Sequence, residues 1–68
     1  MIDARGMHCP WPALMLAKAM RGATEAVIVA DDPTAPREIA ALAAERGWAV
    51  TAEETPIGAG TRVRRSEA

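Results

Sequence analysis

The chain contains no tyrosine, no phenylalanine and a single cysteine, and its acidic and basic side chains nearly cancel. Each scarcity excludes something. One cysteine forms no internal disulfide, and a secreted domain this small normally needs several, so a reducing, cytoplasmic location is expected. Without a second cysteine there is no thioredoxin-like exchange. One cysteine and one histidine, adjacent at Cys9 and His8, are too few ligands for a zinc site. Two tryptophans are the whole aromatic complement, which is thin supply for stacking nucleic-acid bases. Eight basic against nine acidic residues leave a net charge of −1, so no long-range field draws nucleic acid or an anionic membrane. No stretch approaches the ~18 apolar residues of a membrane span, and no apolar leader follows the first methionine, so neither a membrane segment nor processing is expected.

What is present suits one small domain over residues 1–68: half the residues are hydrophobic and a quarter charged, a globular composition. A chain this short buries only about 60% of its unfolded surface, and much of its apolar content is alanine, so the core must be thin. Residues 1–4 read as a short strand. Residues 10–21 read as a helix stopped by Gly22, and the β-branched run within 25–30 as a buried strand. After the Asp31-Asp32-Pro33-Thr34 break, Ile39, Leu42 and Ala43 mark one face of a helix over 36–46, with Gly47 as its left-handed cap and Trp48 packing back. Residues 49–54 alternate in polarity, and 61–65 return beside them after a turn over 56–60. The order βαβαββ, with right-handed crossovers, folds into a two-layer α/β sandwich: a mixed four-stranded sheet with two helices on one face.

The chemistry concentrates at Gly6-Met7-His8-Cys9-Pro10-Trp11-Pro12. Prolines suit a first helical turn, whose amides have no intrahelical acceptor. Cys9 then lies within about one turn of the helix start, where the dipole favours an anion and a thiolate becomes reactive. His8 and Arg5 stand close enough in sequence to add positive charge. The competing reading is an inert, buried cysteine. A papain-like pair is unsupported, because no Asn or Asp is evidently placed to orient His8 and the chain is too short to build a cleft. A nucleophile without base, pocket or cofactor can carry a group, and persulfide exchange needs little more than an accessible thiol and a docked partner.

These residues resemble the TusA (SirA-like) sulfur-carrier family, whose pattern D-x-x-G-x-x-C-P-x-P is met by Asp3, Gly6, Cys9, Pro10 and Pro12. Ala30-Asp31-Asp32-Pro33, Arg37-Glu38-Ile39 and Ala52-Glu53-Glu54 extend the likeness over nearly the whole chain. The resemblance implies the sheet order 1-2-4-3. It implies a persulfide on Cys9, with the motif residues Gly6, Pro10 and Pro12 positioning it; the lack of ligands and cofactor motifs leaves no cofactor and no metal expected. It implies a cysteine desulfurase or rhodanese-type donor and a protein acceptor in tRNA thiolation, molybdenum-cofactor synthesis or oxidative sulfur metabolism; the charge balance and scarce aromatics noted above add the expectation of no direct contact to nucleic acid or membrane. Asp32 and Arg37 would touch the partner, or else be a helix-start turn and a solvated charge. Where the family often has an acidic residue between the prolines, this chain has Trp11.

On the first helix, Ala13, Leu16, Ala17 and Met20 form the stripe expected in the core. That leaves Trp11, Leu14 and Met15 as an apolar docking patch beside the thiol, unless Trp11 folds over the helix start as extra core. Two readings compete with the carrier. One is a regulatory or interaction module in which Cys9 is a redox sensor or structural. The other is RNA binding by Arg62, Arg64 and Arg65, set against a solvated strand face.

Overall fold

Val27, Ile28 and Val29 are β-branched and consecutive, and they lie in an inner strand, where such residues can be covered on both sheet faces. The computed structural model describes residues 1–65, so the last three residues of the domain expected over 1–68 lie outside the described residues. The elements are β1 (Ile2–Asp3), α1 (Trp11–Met20), β2 (Glu25–Val29), α2 (Ala35–Arg46), β3 (Trp48–Thr55) and β4 (Gly58–Arg65). They form one sheet in the order β1-β2-β4-β3, with β1 parallel to β2 and the other pairs antiparallel. This is the expected βαβαββ sandwich with sheet order 1-2-4-3.

The register assigns the two faces. Val63 on β4 is opposite Ala26 on β2 and Val50 on β3, and Leu16 and Met20 of α1 and Ile39 of α2 close over that face in one cluster with Ile28 and Val63. Among the described residues nine hydrophobic ones are buried, and three of them are the alanines Ala4, Ala35 and Ala43, so a few large side chains carry the packing. Complete burial of Leu16 contributes roughly 1.5–3 kcal/mol. On the opposite face Arg62 bonds Glu53 at 3.2 Å and also Glu25, and the two glutamates raise its pKa further above the usual range, Glu53 foremost.

Most element ends shift by a residue or two from expectation, and three details matter more. The final hairpin turns on two residues rather than over 56–60: Thr55 accepts the Ile57 amide at 3.2 Å and donates to the Gly58 carbonyl at 2.6 Å, and β4 begins at Gly58. Gly60 is therefore a strand residue, and its glycine identity answers a close approach, because a Cβ there would stand 2.8 Å from the Ile28 carbonyl oxygen. On α1 the fully buried residues are Pro12, Leu16 and Met20, while Ala13 and Ala17 are half-buried. α2 starts one residue early at Ala35 and ends as expected: Gly47 adopts the left-handed conformation, and the Arg46 guanidinium sits 5.8 Å from the Trp48 ring centroid.

Candidate functional site

Between β1 and α1 the chain crosses in a loop, residues 4–10, that carries the cysteine. The loop is rooted where the buried Ala4 donates its amide to the Val29 carbonyl at 2.7 Å, and it turns back as Met7 donates to Ala4 at 3.2 Å. Gly6 holds φ at 82°, a left-handed angle that side-chain-bearing residues adopt at a cost. A Cβ at Gly6 would meet nothing within 4 Å, so backbone angle rather than space selects glycine. Cys9 follows as a free, exposed thiol.

The helix start is built as the two prolines require, with a division of labour the sequence did not disclose. Pro10 is the N-cap residue and exposed, whereas Pro12 lies within the first turn and is fully buried. Trp11 donates its amide to the His8 carbonyl at 2.9 Å and Leu14 to Pro10 at 3.1 Å. Cys9 thus stands one residue before the cap. The positive charge expected from Arg5 is spent locally: its guanidinium forks onto Asp3 with two 2.9 Å bonds, which lowers the Asp3 pKa.

The other side of the loop is held by the β2–α2 turn. The Gly6 amide donates to Asp31 Oδ1 at 2.9 Å and the Cys9 amide to Asp32 Oδ2 at 2.6 Å. Asp32 Oδ1 in turn accepts the Thr34 amide at 3.0 Å and the Thr34 hydroxyl at 3.1 Å. The amides of Thr34 and Cys9, in that order, keep the Asp32 carboxyl below its ordinary 3.8, and the nearby His8 charge acts in the same direction. Asp32, expected as a partner contact or a helix-start turn, therefore faces the cysteine loop and is half-buried. Both aspartates were visible in sequence as a chain break; that they bond loop amides more than twenty residues away leaves no mark there.

Of the expected apolar patch, Trp11 is 59% and Leu14 50% exposed, one turn apart on the same ridge. Met15 separates from them: it is half-buried and leans on the core cluster. Arg37 is exposed on α2 and makes no ion pair among the described residues. The arginines behind the RNA reading are engaged elsewhere. Arg62 bridges two glutamates, Arg64 lies 3.9 Å from Glu25, and Arg65 bonds the Ala23 carbonyl at 3.1 Å and the Met20 carbonyl at the C-terminal end of α1, where a cation also suits the helix dipole. Among the described residues no three His, Cys, Asp or Glu side chains gather as a metal site, and no helix is long and apolar enough to cross a membrane.

Fold and site together define a small α/β sandwich that presents one thiol at the mouth of its first helix. The crystal structure of a SirA-like protein from Desulfitobacterium hafniense has the same fold, with a TM-score of 0.72 over 98% of this chain and 96% of that one at 22% identity. The model of the family described as Sulfurtransferase TusA matches residues 1–64, and the chain belongs to that family, whose members relay sulfur between proteins.

Proposed function

We propose that this protein takes up sulfane sulfur as a persulfide on Cys9 and passes it to an acceptor protein in the cytoplasm. The observation that carries the reading is an exposed Cys9 on a loop fixed at both ends, in a member of a sulfurtransferase family. The Cys9 thiolate attacks the terminal sulfur of a donor persulfide; the donor S–S bond breaks, its electron pair leaves on the donor thiolate, and Cys9 becomes the persulfide. Delivery repeats the step with the acceptor thiolate as nucleophile. Neither step is a net oxidation, and neither requires a cofactor or metal. Gly6, Pro10 and Pro12 position the cysteine. Trp11 and Leu14, with the exposed part of Met15, seat the partner's apolar surface, and Arg37 adds a charge contact at the α2 side of the same end.

The donor is a cysteine desulfurase or a rhodanese-type protein, and the acceptor belongs to tRNA thiolation, molybdenum-cofactor synthesis or oxidative sulfur metabolism. Two isotope experiments test the relay. The protein is incubated with a cysteine desulfurase and ³⁴S-cysteine, and separately with a rhodanese and thiosulfate carrying ³⁴S in its sulfane position. Label on Cys9 in either reaction supports the relay and names the donor class. Label in neither, with both donors themselves loaded, contradicts it.

A further inference from the structure

The cysteine loop and the β2–α2 turn are joined at two points, and in both a backbone amide of the loop meets a carboxylate of the turn. The Cys9 amide donates to Asp32 Oδ2 at 2.6 Å, and hydrogen bonds to an ionised carboxylate are stronger than those between neutral groups. Asp32 is itself tethered, since its second oxygen takes two bonds from Thr34. Both its oxygens are thus engaged within the chain. Cys9 is exposed, so the position from which its sulfur is presented is set by its backbone. Attack on a persulfide is sensitive to alignment of the three sulfurs, and alignment is what a fixed backbone supplies. We propose that Asp32, anchored by Thr34, is a positioning residue that fixes the backbone from which Cys9 presents its sulfur, with Asp31 holding the other end of the loop at Gly6. The role in transfer rests on the sulfur-carrier reading; the clamp itself does not.

The test uses the whole chain and the variants Asp32→Ala, Asp32→Asn and Thr34→Val. In ¹⁵N-labelled protein the Cys9 amide proton resonates downfield, its shift follows the Asp32 carboxyl titration, and its exchange is about tenfold faster in Asp32→Ala. Function is read as a ratio: the rate at which persulfidated Cys9 passes sulfur to the thiol of a second, mass-labelled copy, divided by its rate of cyanolysis to thiocyanate. Cyanide is small and approaches from many directions, so it reports sulfur reactivity without docking geometry. Asp32→Ala lowers the ratio about tenfold, Asp32→Asn less because it keeps an uncharged acceptor, and Thr34→Val least. A Cys9 amide that exchanges freely and ignores Asp32 overturns the clamp, and an unchanged ratio in Asp32→Ala overturns its positioning role. Failure of the wild type to load sulfur at all, with the amide behaving as described, overturns the carrier reading and with it the role in transfer, but not the clamp.

Discussion

Replacing Trp11 by alanine separates a docking surface from a structural prop. Trp11 is 59% exposed, so about two-fifths of the 3–5 kcal/mol cost of truncating a buried aromatic applies, or roughly 1–2 kcal/mol. Leu16, on the same helix, is fully buried and its truncation costs about 3–5 kcal/mol, a large share of what a domain this size possesses. Urea denaturation of the two variants beside the wild type measures both. The functional signature is a split: Trp11→Ala slows transfer from a protein donor several-fold more than it slows loading by glutathione persulfide, because only the first requires a seated partner. A Trp11→Ala cost equal to that of Leu16→Ala would make Trp11 core and refute the docking role. Equal slowing with both donors would refute it as well.

Gly60→Ala forces a Cβ to within 2.8 Å of the Ile28 carbonyl oxygen and 3.0 Å of a Val29 methyl; the first contact is backbone and cannot rotate away, so the variant loses about 1–3 kcal/mol, measured by thermal melting, and unchanged stability would show that β2 and β4 are further apart. Acid should destabilise the protein through carboxylates held below their usual range: Asp32 by Thr34 and Cys9, Glu53 by Arg62, and Asp3 by Arg5. Their ordinary values are 3.8 for the aspartates and 4.5 for Glu53, so the unfolded chain takes up protons first as pH falls. Stability contributed by these groups is complete above those values, declines on passing below them and is lost once the lowered folded values are crossed; denaturation midpoints that hold steady from pH 5 to about 2.5 would contradict this.

The elements that repeat a local rule were legible in sequence. The β-branched run at β2, the Gly47 stop and the Trp48 return are each set by nearest neighbours, and right-handed crossovers leave few ways to assemble them. The cysteine's place at a helix start followed from Pro10 and Pro12 for the same reason. Gly60 misled, because glycine marks both a turn and a close approach, and only the neighbouring strand tells which applies. Met15 misled because helical spacing gives a direction but not how far the sheet reaches beneath it. Asp32 is the deepest case: its bond to Cys9 spans 23 positions, and nothing in a chain-break motif says which distant amide it will meet.

The account turns on sulfur residing at one atom, Cys9 Sγ. The direct measurement is intact-mass and peptide spectrometry of the wild type and of Cys9→Ser after incubation with a persulfide donor. A single gain of about 32 Da, mapped to the peptide containing Cys9, removed by cyanide and absent from a folded Cys9→Ser variant, is the predicted result. No gain in the wild type, or an equal gain in Cys9→Ser, would contradict the claim that this protein carries sulfur.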